Sequence, residues 1–297
     1  MKVWESYFQG IKDALKPKMV AILWLINFLF ASVLYFLISG LLSDAISWSP
    51  KAEALMKKGD FNVVLDILVH RGGEVSMILS VAFILFFFYY LASLFLRGGV
   101  LYFLSLSLNS KQGEKEERFA SLFFRGAGRF FGRFFRLMIY SLVLWIGFAL
   151  INVLIHLFAG VLSNQGDNEK MLVVMIWVRL VIFLFFYFFV LMVLDYARIR
   201  IVLENSRKVL KNMFWSLGFV LTKLGRTLAL YYILVVTGIL IAIVYWLFDS
   251  LIPGQTLMMV MLAFVLGQVF ILARSWLTVA FQAAQMRFLT ADSKKKE

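Results

Sequence analysis

Six long apolar runs decide what this chain can fold into. They cover residues 19–42, 75–96, 137–158, 171–194, 228–247 and 257–280. Each has the roughly 17–25 residues that a helix needs to cross a hydrocarbon layer about 30 Å thick. Among the 297 residues, 62% are hydrophobic, and the mean hydropathy is +0.88. An ordinary soluble domain is only about half apolar. The chain therefore reads as all-α: a polytopic membrane helix bundle with six transmembrane helices. The gaps between runs leave no room for a separate soluble domain, so residues 1–297 form a single membrane domain.

Charge separates the two sides of the membrane. Lys and Arg number four in residues 1–18, eight in 97–136, seven in 197–227 and four from Phe281 onward. The other three connections share only Lys51, Lys57, Lys58, Arg71 and Lys170. This alternation is what the positive-inside rule produces. It predicts a multi-pass cell-membrane protein with both termini cytoplasmic and with 43–74, 159–170 and 248–256 outside. The net charge of +13 is thereby accounted for without nucleic acid as a partner. A first run of 24 residues behind Glu5 and Asp13 is too long for a signal core and reads as a retained span. With no cysteine, disulfides and thiolate chemistry are excluded.

A basic amphipathic segment precedes each pair of runs. Arg118, Arg125, Arg129, Arg133 and Arg136 form one helical stripe narrower than about 90°. Phe119, Phe123, Phe130, Phe131, Phe134 and Phe135 take the opposite side. A cationic face backed by an aromatic face suits the headgroup boundary, with phenylalanines among acyl-chain tops and guanidiniums on lipid phosphates. Each such cation contributes on the order of 1 kcal/mol near an anionic surface. Gly128-x-x-x-Gly132 has the spacing of a close helix contact. At the N-terminus, Val3, Tyr7, Ile11 and Leu15 line one face, Lys2, Glu5, Gln9, Lys12 and Lys16 the other, and Pro17 breaks the helix. The third segment places Arg200, Glu204, Arg207, Lys208 and Lys211 on one face, and a break within 212–226 must redirect the chain. Lipid-phosphate contact is accordingly expected at Arg118, Arg125, Arg129, Arg133, Arg136, Arg200, Arg207, Lys208 and Lys211. The plan reads as three helix-plus-hairpin units, 1–109, 110–200 and 201–297, with Arg97, Arg198 and Arg287 closing them. Alternating topology alone would give the same order of elements.

Residues 43–74 form an external segment with two expected helices. Ser49-Pro50 starts the first, Asp60 caps the second, and Arg71, Gly72 and Gly73 end it. Pro253-Gly254 marks an external turn.

Five polar residues on the spans are candidates for chemistry: Arg179, Asp195, Gln268, Arg274 and Gln282. A charge in the hydrocarbon costs about 2.5–3.5 kcal/mol on insertion scales and usually faces protein, water or a partner. Arg179 can snorkel to the outer surface or take His156 or Glu169 as neighbour. Gln268, Ser275, Thr278, Gln282 and Gln285 make one polar stripe that should face protein, with Arg274 on its border. Arg274 either holds an anion or contacts Asp195, Asn27, Asn152 or backbone carbonyls. His70 and His156 are far apart, and no metal-ligand spacing, HExxH, phosphate loop or nucleophile elbow occurs. The expectation is a protein without enzymatic activity or cofactor.

The start at 3–15 and the Asp195-Tyr196-Ala197-Arg198 exit with its basic helix resemble bacterial six-span membrane proteins of unassigned role. Nearest is the membrane domain attached to some glycerophosphoryl diester phosphodiesterases. The resemblance implies a bacterial inner membrane. The catalytic barrel of those enzymes is absent here, so it implies no activity. Three functions follow: engaging or moving lipids or other amphiphiles, with anionic membrane lipids as partners; scaffolding a membrane protein partner; or passing a small solute as a channel or transporter. Pro at 17, 50 and 253 alone leaves the spans without the broken helices common in transporters.

Overall fold

The computed structural model describes residues 3–46, 72–109, 119–163, 169–252 and 256–293. Eight helices and no strands lie among them: α1 Val3–Ala14, α2 Pro17–Ile46, α3 Gly72–Asn109, α4 Phe119–Ser163, α5 Glu169–Leu203, α6 Val209–Thr222, α7 Leu224–Ser250 and α8 Leu257–Ser293. Six of these are long and apolar enough to cross a membrane. The chain is an all-α, multi-pass membrane protein. Most of the expected outer helices of 43–74, the Pro253-Gly254 turn, His70 and Arg118 lie outside the described residues. Gly72 and Gly73, read above as a helix stop, instead begin α3.

Local chemistry sets the breaks. Pro17 occupies the first position of α2, where its missing N–H costs nothing. Asn205 ends α5 in a left-handed conformation, φ 47°, which asparagine tolerates better than most residues. The amides of Asn205 and Ser206 return to the carbonyls of Val202 and Ile201, closing a Schellman cap. The break expected within 212–226 falls at Lys223, between α6 and α7. No break separates the arginine stripe from the third span. Both belong to α4, a continuous helix of 45 residues.

The chain divides into two compact units: Met1–Val20 with Phe95–Glu297, and Ala21–Leu94. In the smaller unit, the Tyr89 hydroxyl donates to Asn27 Oδ1 (2.9 Å) and Phe30 meets the Tyr89 ring edge-on. Most other side chains there, such as Phe36 and Phe83, are exposed.

In the larger unit, consecutive spans pack antiparallel. Phe148 meets Phe183 and Trp145 meets Tyr187 between α4 and α5. Lys223–Asp292, Tyr231–Phe281 and Gly238 under Leu277 join α7 to α8. Burial is concentrated at the end carrying Arg97, Arg198 and Arg287, called here the basic end. Val100, Phe123, Phe130, Phe134, Val193, Tyr196, Leu230 and Ala284 are almost wholly buried there. Toward the other end, Leu154, Val181, Ile239 and Phe264 are exposed. Apolar surface on that scale needs lipid as its solvent. At 1.5 Å per residue, α4 is about 67 Å long and the 37-residue α8 about 55 Å. Both outrun a 30 Å hydrocarbon layer, so each must extend beyond it.

Small residues allow this core to close. On α1 the face buried against protein is Ser6, Gly10 and Ala14. A Cβ on Gly10 would lie 2.5 Å from the Ala284 backbone. Gly10–Ala284 and Asp13–Arg287 have the same sequence offset, so α1 runs parallel to α8. Trp4, Phe8 and Leu15 remain exposed on its outer face.

Candidate functional site

Helix α4 reaches the basic end with its aromatic face turned inward. Phe123, Phe130 and Phe134 are buried against protein, which corrects their expected place among acyl-chain tops. The cause is in α3. A Cβ on Gly99 would fall 2.9 Å from the Phe123 ring, and one on Gly126 would fall 2.4 Å from Tyr102. These glycines let α3 and α4 approach until the rings fill the space between them. Gly128 and Gly132 face open space and make no helix contact, contrary to their spacing.

With the rings inside, the arginines face outward. Arg125, Arg129 and Arg136 are exposed, and Arg133 is half-buried. Arg133 Nη1 donates to Asn205 Oδ1 (2.8 Å) and to the Ser206 carbonyl (3.4 Å), tying α4 to the α5–α6 turn. That contact brings in Arg207, and the guanidiniums of Arg129, Arg207 and Arg136 all repel that of Arg133. The nearby Glu204 is engaged by Arg200 Nε at 2.7 Å. Arg200 also stacks over Trp215, 3.8 Å from its centroid. Arg207, Lys208 and Lys211 are exposed.

Helix α6 folds back along the last turns of α5. Ser216 Oγ donates to the Val193 carbonyl (2.5 Å), and Phe219 packs on Tyr196. Its outer face leaves Leu210, Phe214 and Leu221 exposed beside Lys208 and Lys211. An apolar ridge flanked by cations is the composition of a helix lying at a headgroup boundary.

Behind this surface several charges are paired. Asp195 accepts from Arg198 Nη1 at 2.7 Å and pairs with Arg97 at 3.6 Å. It is therefore not the counter-charge of Arg274. Arg287 grips Asp13 through two bonds, 2.7 and 3.0 Å. Lys16 donates to Ser107 Oγ at 2.6 Å and lies over the Phe103 ring. Burial pushes the Lys16 pKa below the ordinary lysine value, against the opposing pull of Asp13, with Arg287 adding to the lowering. All three arginines that close the expected units are thus structural ion-pair members. The Asp13 and Ser107 partners could not be found from spacing, because they lie on other helices.

The polar stripe of α8 does face protein. Ser275, Gln282 and Gln285 are buried, and Gln268 is half-buried. Gln282 Oε1 and both amide atoms of Gln285 lack a partner among the described residues. Arg274 stands on the exposed side and makes no ion pair among the described residues; its carbonyl accepts from Thr278. Asn152 Nδ2 donates to the Phe148 carbonyl. Arg179 takes one of its expected neighbours: its Nη1 is 3.0 Å from His156 Nδ1.

Among the described residues no three His, Asp or Glu side chains converge as metal ligands would. Neither a known protein family, a curated protein nor a solved structure matches the chain.

Proposed function

We propose that this membrane protein acts without enzymatic chemistry, engaging anionic lipids or other anionic amphiphiles at its basic end, and that this end lies on the cytoplasmic side. One observation carries the reading: Arg129, Arg136 and Arg207 gather around Arg133, which is bound to the α5–α6 turn, while Glu204 is engaged by Arg200. Like charges held together favour an anion that bridges them, and guanidiniums match phosphate oxygens in two-pronged geometry. The cluster lies just beyond the apolar run of α4, at headgroup depth. The exposed ridge of α6 and the Trp4–Phe8 edge of α1 suit the acyl-chain tops beside it. The density of basic residues at this end supports the cytoplasmic orientation.

The test is lipid retention. The full chain is extracted in mild detergent, and bound phosphatidylglycerol and cardiolipin are counted by native mass spectrometry. Changing Arg129, Arg133, Arg136 and Arg207 to Gln should reduce retained anionic lipid about tenfold, while the fourfold Lys variant keeps part of it. Equal retention by the Gln variant would sink the reading.

A further inference from the structure

A second site lies at the opposite end of α4. From the paired rings of Phe148 and Phe183 toward the outer ends of α4 and α5, a groove of about 510 Å³ opens between the two helices. Ala149 is too small to fill it, and Ile176 and Leu180 complete its apolar wall. Arg179 stands at its rim with Asn152.

Arg179 is ten residues into α5, about 15 Å below the helix start. Its side chain reaches His156, which is seven residues from the end of α4. A guanidinium can only donate, so His156 Nδ1 accepts and the imidazole proton resides on Nε2. The contact joins the Arg179 cation to a second polar side chain. No carboxylate among the described side chains pairs with Arg179. Arg179 is exposed and lines the groove.

We infer that this groove is a binding site for an anionic phospholipid of the leaflet at that end. The headgroup phosphate would lie on Arg179 and His156, and one acyl chain would run along the groove as far as the wall that the paired Phe148 and Phe183 rings form. Polarity along the groove follows the order of such a lipid: Arg179 and Asn152 stand nearer the outer helix ends than the Phe148–Phe183 pair, which closes the groove toward mid-membrane. A phosphate also explains how a cation is held on a lipid-facing surface, where it is otherwise costly. This site is independent of the arginine cluster at the basic end.

The experiment uses the full chain in phosphatidylcholine vesicles doped with phosphatidylglycerol carrying a photoactivatable group in one acyl chain. Crosslinks are mapped by peptide mass spectrometry. Labelling within 145–152 and 176–184 is expected to fall at least fivefold in Arg179→Gln and to recover about half in Arg179→Lys. Ala149→Trp fills the groove while keeping the charge, and it too should abolish labelling; it carries the test if Arg179→Gln does not survive purification. The fourfold Gln variant of the basic end should leave this labelling unchanged, which separates the two sites. Three results would overturn the site. One is equal labelling by a phosphatidylcholine probe. Another is wild-type labelling in both groove variants. The third is copy-to-copy disulfide formation by Ile176→Cys that excludes the lipid, because a second chain would then occupy the groove.

Discussion

Asp195 shows how much one carboxylate can organise. It serves Arg198, which is nearly buried, and Arg97, which is partly exposed. Asp195→Asn removes the carboxylate with which both arginines pair, and losing one partner of a buried pair costs on the order of 3 kcal/mol. Thermal unfolding in detergent should register that loss as a marked fall in midpoint. Next along the chain, Tyr196→Phe is expected to be close to neutral, because the deleted hydroxyl is buried with no partner among the described residues. Glycines permit a sharper comparison. Gly126→Ala drives a methyl into the Tyr102 ring and should cost about 1–3 kcal/mol through overpacking. Gly128→Ala, two residues along, meets open space and should stabilise α4 by about 0.5–1 kcal/mol. Equal midpoints for these two variants would refute the α3–α4 packing described here.

At the scale of elements, α6 makes the most specific demand. Because the chain has no cysteine, a single Phe214→Cys can carry a spin label alone. In vesicles that label should be relaxed more by oxygen than by a water-soluble nickel chelate, and a label at Lys208→Cys should show the reverse order. A water-facing signature at position 214 would remove α6 from the membrane boundary. The spans themselves were legible because a hydrocarbon solvent imposes one requirement, length and apolarity, that sequence displays directly. The arginine stripe was legible too, since helical periodicity alone sets it. What α4 does with its phenylalanines was not. Their burial depends on Gly98 and Gly99, which belong to another helix, and no local pattern says which neighbour a face will meet. The same limit hid Asp13 as the partner of Arg287 and Asn205 as the partner of Arg133. Arg274, expected on the border of the polar stripe, is exposed, because about 100° of helical rotation separates it from the buried Ser275.

For the whole molecule, the concentration of buried residues at the basic end means that folding strength and charge reside in the same layer. That layer should face the cytoplasm, and the cysteine-free background makes the orientation easy to read. In intact cells, an impermeant maleimide should label Ser250→Cys and leave Lys211→Cys unlabelled until the membrane is permeabilised. The reverse result would invert the topology and put the arginine cluster outside. Within the larger unit, α4 spans the full distance as one unbroken rod and carries both Arg129 and His156. A rod this long converts small rotations into large displacements: pivoting by about ten degrees at one tip swings the other by about 12 Å. Local bilayer thickening or thinning, which reorients transmembrane helices, would therefore displace the two ends of α4, and with them the two proposed lipid sites, like the arms of a balance.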